Sequence, residues 1–146
     1  MIETIDGIPV VTQFTGEHRF LSNFWASPVA MQGIVYPTVE HAFQAAKSLD
    51  AGMRRHICDQ RTPGDAKRAG RQLVLRSDWE VIKLDVMLQL LRAKFSDPYL
   101  GQRLLATGYM QLVEGNTWND TYWGVCRGNG KNHLGRLLMQ VRGEIA

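Results

Sequence analysis

The chain has 146 residues, of which 45% are hydrophobic and 21% charged, a composition typical of one ordinary domain with a buried core. It shows neither the roughly 20 continuous apolar residues of a membrane span nor a secretory signal, so we expect a cytoplasmic protein without a membrane partner. The net charge of +3 is too low for a dedicated nucleic-acid-binding protein, and the two cysteines, Cys58 and Cys126, are too few for a disulfide framework or a four-cysteine zinc site.

Strands and a loop are predicted in the first third of the chain. Residues 8–14 are rich in β-branched side chains, and a turn at Gln32 and Gly33 suits a hairpin between 29–31 and 34–36. The loop between these strands carries several large apolar side chains. Of these, Phe20 and Leu21 are predicted to fill the core.

Helices dominate from residue 37 onward. Thr38 is predicted to cap a helix over 39–49, and Thr62 to cap another. Ser77 and Glu80 form a capping box, which predicts a further helix over 78–95. Its apolar stripe is so broad that this helix is predicted to be central and largely buried; the stripe comprises Val81, Leu84, Leu88, Leu91 and Phe95, widened by Ile82, Val86 and Leu90.

The last third begins with a short helix predicted after Asp97 and a strand predicted over 110–113. Residues 115–133, which hold four glycines and two tryptophans, predict a long structured loop. A final helix follows Asn132, which is predicted to cap it. The predicted buried face of that helix is Leu134, Leu137, Leu138 and Val141.

Positive charge is concentrated between Arg54 and Arg76, which we call the basic segment. Seven basic residues stand there against two acidic ones, a balance of +5 over 23 positions. Two interpretations stay open: a solvated helical face, or a patch that faces a phosphate group.

Three polar residues share one face of the helix predicted over 39–49. At about 100° per residue, Glu40, Gln44 and Lys47 fall within a narrow arc, and the rest of the helix is mostly small or apolar. If that face lines a pocket, it supplies a candidate general base and a candidate nucleophile. The alternative is a solvent-facing stripe with an i, i+4 contact, and spacing alone does not choose between the two.

The loop 115–133 is a second candidate site. Its rings can stack on a base, Asp120 can hold ribose hydroxyls, and the glycine-rich turn before the last helix can offer backbone N–H groups to a phosphate. Lys131 is followed by Asn132 instead of Ser or Thr, so this turn is not a P-loop, and no Rossmann, zinc or serine-hydrolase motif occurs in the sequence. We therefore expect a nucleotide-like ligand, with no metal and no cofactor.

Several segments, in order and in register, resemble the NADAR, or YbiA-like, family. The resemblance runs from about Phe14 to Arg142. Its segments are 20–24 (FLSNF), 36–47 (YPTVEHAFQAAK), Trp79 with Lys83 and Met87, 119–124 (NDTYWG), and 130–135 (GKNHLG) with Leu138 and Met139.

The resemblance implies a single α+β domain over residues 1–146, mostly helical with a small β-sheet, that hydrolyses N-glycosidic bonds. Members of the family act on early riboflavin intermediates, in which a ribosyl 5′-phosphate is joined to a pyrimidine through an amine, or remove ADP-ribose from the amino group of guanine in nucleic acid. The bond in both cases joins ribose C1 to an exocyclic nitrogen. The implied partners are a small-molecule nucleotide or ADP-ribosyl substrate, or nucleic acid carrying ADP-ribosylated guanine.

The resemblance also implies roles for individual residues. Glu40 is predicted to stabilise the positive charge that develops on the sugar. For Lys47 two roles stay open: a Schiff base with C1, or an ammonium that holds a phosphate or pairs with Glu40. Asp120 is the third predicted catalytic residue, whereas His41 and Trp79 are predicted to pack. The predicted substrate-binding residues are Asn23, Phe24, Gln44, Trp123, Gly124, Gly130, Lys131 and Asn132.

A rival interpretation comes from a different class of protein, a module that binds ADP-ribose or a related nucleotide without cleaving it. Such a module needs the pocket but has no use for the Glu40 carboxylate. Release of free base from an amine-linked ribosyl substrate separates the two interpretations.

Overall fold

The computed structural model describes residues 2–146, and these form two compact units. One unit comprises residues 2–22 and 95–146, and the other comprises residues 23–94. In chain order the elements are β1 (Ile2–Ile5), β2 (Ile8–Val11), a 3-10 helix (Gly16–Leu21), β3 (Val29–Met31), β4 (Ile34–Tyr36), α1 (Val39–Ala46), α2 (Ala51–Cys58), α3 (Pro63–Gly70), α4 (Trp79–Phe95), α5 (Pro98–Leu105), β5 (Gln111–Leu112), β6 (Gly115–Asn116), β7 (Val125–Cys126) and α6 (His133–Ile145).

Helices outweigh strands in this order, as expected for the mostly helical α+β fold predicted from the sequence. The single domain over residues 1–146 stays a prediction. None of the helices in the described part of the chain is both long enough and apolar enough to cross a membrane.

The unit of residues 2–22 and 95–146 contains a three-stranded sheet. Strand β2 pairs antiparallel with β1 and parallel with β5, so that Val10 lies opposite Gln111. β2 is shorter than the strand predicted over 8–14, and β1 was not predicted. Phe20 and Leu21 are buried, as predicted.

Helices α5 and α6 of this unit begin where the sequence predicts. The Asp97 carboxylate accepts a hydrogen bond from the backbone N–H of Leu100 at 3.0 Å and caps α5. Asn132 precedes α6 in a left-handed conformation (φ 54°) and forms no side-chain cap, so the predicted cap is wrong. Three of the four residues predicted on the buried face of α6 are buried, namely Leu134, Leu138 and Val141.

The unit of residues 23–94 begins with the predicted hairpin. β3 and β4 are antiparallel, with Val29 opposite Tyr36. Gln32 and Gly33 both have positive φ, 49° and 84°, as in the type I′ turn that is common in two-residue hairpins.

Local capping explains where the helices of this unit begin. The hydroxyls of Thr38 and Thr62 accept backbone N–H groups of the first turns of α1 and α3, as predicted. α1 ends at Ala46, three residues earlier than position 49. α2 was not predicted, although Asp50 caps it with a 2.8 Å hydrogen bond from the N–H of Met53.

Helix α4 buries only part of the predicted face. Leu90, Leu91 and Phe95 are buried as predicted, whereas Val81 is 86% exposed and Leu84 37%, so the predicted stripe is wrong in the first half of the helix. The other buried residues of α4 are Trp79, Met87 and Lys94.

Candidate active site

The polar face of α1 is turned into the protein. All eight residues of α1 are buried, with Glu40 9% and Gln44 5% exposed. Nε2 of Gln44 donates a hydrogen bond to Oε2 of Glu40 at 2.8 Å. This geometry excludes the solvent-facing stripe that spacing alone left open. A desolvated carboxylate costs stability unless it is compensated, so its burial here is consistent with a functional role.

Lys47 follows α1 directly and is half-buried. Burial lowers the pKa of its amine, while the Glu40 carboxylate acts in the opposite direction. A lowered pKa raises the share of neutral amine, which is the nucleophilic form. Further cations lower this pKa as well, namely Arg71, Lys67 and Lys83. In the sequence, Lys67 and Arg71 appear only as two of the positive charges of the basic segment. That they act on Lys47 could not be predicted, because the sequence does not show which helix α3 packs against.

Asn23 is hydrogen-bonded to Glu40 through its backbone, and one polar atom of its side chain has no hydrogen-bond partner among the described residues. Its carbonyl accepts a hydrogen bond from the N–H of Glu40 at 3.1 Å, and its Nδ2 donates to the sulfur of Met87 at 3.6 Å. Oδ1 of Asn23 and Oε1 of Gln44 are buried and form no hydrogen bond among the described residues. Buried polar atoms without partners are rare and call for a specific reason. Phe24, next in sequence, is 42% exposed.

His41 and Trp79 are packing residues, as predicted. The ring nitrogens of His41 lie 2.7 Å from Oγ1 of Thr38 and 2.9 Å from the carbonyl of Gln60, so both have partners. Trp79 is 5% exposed and packs against Phe43 with ring centroids 5.1 Å apart.

The basic segment does not form a uniform surface patch. Arg54 is buried and donates to a backbone carbonyl at 2.7 Å. Arg68 forms an ion pair with Asp65, and Arg76 forms one with Asp78 at 2.6 Å. Three of the seven basic residues therefore stabilise local structure, and neither interpretation drawn from the sequence describes the whole segment.

In the other unit, Asp120 organises the loop 115–133. Its Oδ1 accepts the backbone N–H groups of Tyr122 at 3.1 Å and Trp123 at 2.9 Å. Its own N–H and carbonyl are held by the Asn116 side chain at 3.1 and 2.9 Å. Of the two carboxylate oxygens of Asp120, it is Oδ1 that takes part in these hydrogen bonds and maintains the turn.

The rings of this loop pack on one another. The centroid of Tyr122 lies 4.9 Å from that of Trp123 and 4.6 Å from that of His133. Nζ of Lys131 lies 5.9 Å from the Tyr122 centroid. Trp123, predicted to stack on a base, is half-buried and in edge contact with Tyr122.

The backbone N–H groups that lead into α6 are already used. Four consecutive N–H groups, those of residues 131–134, donate to the carbonyls of Thr121, Gly124, Tyr122 and Trp123 over 2.8–3.2 Å. These groups are not open to a phosphate. The anion seat predicted at this helix N-terminus is therefore not formed by them.

Three of the predicted substrate-binding residues have structural contacts in this loop. A Cβ on Gly124 would lie 2.2 Å from the carbonyl oxygen of Glu114, and one on Gly130 would lie 2.1 Å from that of Gly124. The Asn132 side chain accepts from the N–H of Glu114 at 3.0 Å and donates to the carbonyl of Leu112 at 2.9 Å. The glycines permit close backbone approach, and the amide of Asn132 ties the loop to β5.

Cys58 and Cys126 are free thiols. Among residues 2–146, no three His, Cys, Asp or Glu side chains are grouped so that they could hold a metal ion.

Comparison with known proteins identifies the family. The sequence model of the NADAR domain matches residues 12–146. The chain is 46% identical over 129 residues to the N-glycosidase YbiA of Escherichia coli (strain K12), which covers 86% of this chain and 80% of that protein. It is 36% identical over 132 residues to a riboflavin biosynthesis protein of Vibrio vulnificus (strain YJ016), which covers 88% of this chain and 36% of that protein.

A solved structure supports the same relationship. The NMR structure of the E. coli protein YbiA matches with a TM-score of 0.80 and 41% sequence identity, covering 93% of this chain and 88% of that chain. The fold predicted from the resemblance is thus confirmed. Because sequence, family model and fold agree over most of its length, the chain belongs to the NADAR domain family.

Proposed function

We propose that this chain hydrolyses the bond between ribose C1 and an exocyclic amine nitrogen of a nucleobase-like group. The chain is a hydrolase of N-glycosyl bonds, in keeping with relatives from E. coli and Nostoc punctiforme that are named N-glycosidases. The observation that carries the finer proposal is the buried Glu40 carboxylate, with the Gln44 amide 2.8 Å away and the Lys47 amine near enough to feel its charge.

Glu40 is proposed to stabilise the transition state. Breaking the bond builds positive charge on C1 and the ring oxygen of the sugar, and a fixed negative charge lowers the energy of that state. The effect is larger in a site shielded from water, where charges are screened less. In the free enzyme the Gln44 hydrogen bond offsets part of the desolvation of Glu40, and the developing cation adds a further favourable interaction during the reaction.

Gln44 is proposed to hold Glu40 in place. Its Nε2 donates to one carboxylate oxygen and so restricts the rotation of the Glu40 side chain. The other carboxylate oxygen of Glu40 then faces a defined direction. Such restraint matters because catalysis depends on geometry that is set before the substrate arrives.

Lys47 is proposed to act as a nucleophile on the opened sugar. A glycosylamine opens to an imine at C1, and the neutral Lys47 amine adds to C1 and expels the base as its free amine, leaving a Schiff base that water hydrolyses. The lowered pKa of Lys47 supports this role. Borohydride added during turnover should fix a ribosyl group on Lys47. An unmodified chain in the mass spectrum would instead favour direct attack by water, with Lys47 as a fixed ammonium.

Asn23 and Asp120 are proposed to bind substrate through side-chain oxygens. Oδ1 of Asn23 suits an N–H of the base or a hydroxyl of the ribose, and the second oxygen of Asp120 suits ribose hydroxyls. Trp123 is proposed to stack on the base, as the family resemblance implies. Phe24 and Lys131 are proposed as further substrate contacts, because both are exposed.

A ribosylamino-pyrimidine 5′-phosphate of early riboflavin synthesis is our first candidate for the substrate. The Vibrio vulnificus relative named for riboflavin biosynthesis supports it. The cations that act on Lys47 are also compatible with a phosphate group. ADP-ribosylated guanine in nucleic acid, which has the same bond type, is the competing substrate to be tested beside it.

The test is release of free base. Purified protein is incubated with each substrate, and free pyrimidine or guanine and the released sugar are quantified by liquid chromatography and mass spectrometry. We expect turnover by the wild type and its loss in Glu40→Gln. Binding of both substrates without release by the wild type would support a non-catalytic nucleotide-binding module instead.

A further inference from the structure

Helix α3 presents a glycine to the polar face of α1, at a point where any side chain would displace Gln44. A Cβ built on Gly70 would lie 2.0 Å from Oε1, 2.7 Å from Cδ and 3.1 Å from Cβ of Gln44. These separations are shorter than van der Waals contact allows. The amide of Gln44 therefore occupies the space that a side chain at position 70 would fill.

The backbone conformation does not require glycine at this position. Gly70 is the last residue of α3 and is not among the residues with positive φ. Glycine disfavours a helix relative to alanine, so helix propensity does not explain it here either. At Gly70 the reason is space for one particular side chain.

Gln44 is enclosed on both sides of its amide. Nε2 donates to Glu40, while Oε1 is buried without a hydrogen-bond partner. The side chain is 5% exposed, so it cannot swing into solvent. If position 70 acquired a side chain, the amide would have to shift, and the hydrogen bond to Glu40 would be lost.

We propose that Gly70 is a positioning residue: by leaving room for the Gln44 amide, it fixes the orientation of the Glu40 carboxylate. Gly70 itself touches no reacting atom, and it acts through Gln44. The inference rests on the proposed function, because it assigns Gly70 a part in the reaction of Glu40.

The chain offers a matched control in the same helix. A Cβ on Gly64, in the first turn of α3, would meet its nearest neighbours at 3.8 and 3.9 Å, which is ordinary contact. Gly64→Ala and Gly70→Ala therefore make the same chemical change in one helix, with a clash only at position 70. Because that clash is with a side chain and not with backbone, we expect both variants to fold.

The first measurement is steady-state kinetics of base release. We expect Gly70→Ala to lower kcat by about 10- to 100-fold with KM changed by less than about threefold, as for a misplaced catalytic group. Gly64→Ala should stay within about twofold of the wild type in both constants. A Gly70→Ala variant with wild-type kcat would overturn the proposal.

The second measurement tests whether Gly70 acts through Gln44. Gln44→Ala removes Oε1 and Cδ, the two atoms that a Cβ at position 70 would approach most closely, and leaves only the Cβ contact at 3.1 Å. In that background, Gly70→Ala should change kcat by less than about twofold, since the two residues act as one unit. An equal loss of kcat in both backgrounds would show a general structural effect and overturn the proposal.

Thermal unfolding keeps the proposal testable if Gly70→Ala does not fold. If Gly70→Ala is unfolded, the double variant with Gln44→Ala must fold again, with a Tm close to that of Gln44→Ala, and a double variant that stays unfolded overturns the proposal. Wild-type protein that releases no base from either substrate would instead refute the proposed function. The Tm values of the wild type, the two single variants and the double variant would still measure the packing of Gly70 against Gln44. Failure of the proposed function can therefore be distinguished from failure of this inference.

Discussion

The polar face of α1 and the loop 115–133 are both rich in polar and aromatic groups, yet they use them differently. On α1, the Glu40 carboxylate is buried and Gln44 retains an acceptor without a hydrogen-bond partner. In the loop, Asn132 and one oxygen of Asp120 are occupied by backbone groups of the loop and its neighbours. The α1 face thus keeps a buried polar atom, Oε1 of Gln44, that no hydrogen bond within the described residues uses. In the loop, the side chains of Asn132 and Asp120 form hydrogen bonds that maintain the loop itself.

The difference has a physical cause. A helix satisfies its own backbone hydrogen bonds, so its side chains are left for other uses. An irregular loop has no such ladder, and its buried backbone groups need partners from nearby side chains and carbonyls. Polar residues in a structured loop are therefore weaker indicators of a binding site than polar residues on a buried helix.

The largest expected effect concerns the carboxylate of α1. Glu40→Gln keeps the shape of the side chain and can still accept from Gln44, but it removes the charge. We expect kcat to fall by about 10²-fold or more, with Tm close to that of the wild type. The same change at the exposed Glu3 serves as control. If the activity of Glu40→Gln stayed within a few-fold of the wild type, the charge of Glu40 would not be needed for catalysis. The polar face of α1 would then not differ from the loop in function.

The next largest effect should appear in the loop, and in stability. A Cβ on Gly124 would lie 2.2 Å from the backbone carbonyl oxygen of Glu114, which cannot rotate away as a side chain can. We expect Gly124→Ala to lower the free energy of unfolding by about 3 kcal/mol. Gly143→Ala, where a Cβ meets nothing within 4 Å, is the control. Urea unfolding checks both variants, and equal stability would show that the loop does not depend on this close approach.

A third prediction concerns Lys94, a buried residue near the end of α4 in the unit of residues 23–94. Burial lowers the pKa of Lys94 to about 7. Between that pH and the pKa of an unfolded lysine, about 10.4, the unfolded state binds a proton that the folded state has lost. Stability should therefore rise with pH across this window, by about 2 kcal/mol between pH 7 and pH 9.

The check for Lys94 is urea unfolding at several pH values. Lys94→Met should reduce the rise by the part due to Lys94, because the variant has no proton to lose at this position; the part due to Lys47, whose pKa is also lowered, should stay. Lys131→Met, at an exposed lysine, should leave the rise unchanged. Parallel pH profiles for the wild type and Lys94→Met would show that Lys94 does not titrate in this range.

Most of the helix caps, which are set by neighbouring residues, could be predicted from the sequence, although the predicted Asn132 cap is wrong. Thr38, Thr62 and Asp97 cap helices as predicted, because a cap depends on three or four consecutive residues. Helix α2 was missed because its sequence, AGMRRHIC, has no clear apolar stripe. The first half of the predicted buried face of α4 was wrong because apolar residues lie on more than one side of that helix, and only its packing partners determine which side is covered.

The same limit applies to the candidate site. The spacing of Glu40, Gln44 and Lys47 on one face is a local property, and it was visible in the sequence. The loss of the anion seat depends on hydrogen bonds between residues 121–124 and 131–134, which no local pattern shows. Gly70 and Gln44 lie on two different helices, so the sequence does not show that they meet. The only sign of their packing in the sequence is a glycine within the range of a helix.

The smallest expected effect separates the two oxygens of Asp120. Asp120→Asn keeps the oxygen that accepts the N–H groups of Tyr122 and Trp123, so the unfolding free energy should change by less than about 0.5 kcal/mol. Asp120→Ala removes both hydrogen bonds and should cost about 2 kcal/mol. Chemical denaturation of the two variants measures this difference, and base release measured on the same samples asks whether the charge is needed. A stable Asp120→Asn with reduced turnover would give this loop a direct part in the reaction and narrow its contrast with α1, whereas equal stability losses in both variants would contradict the hydrogen-bonding role of Oδ1.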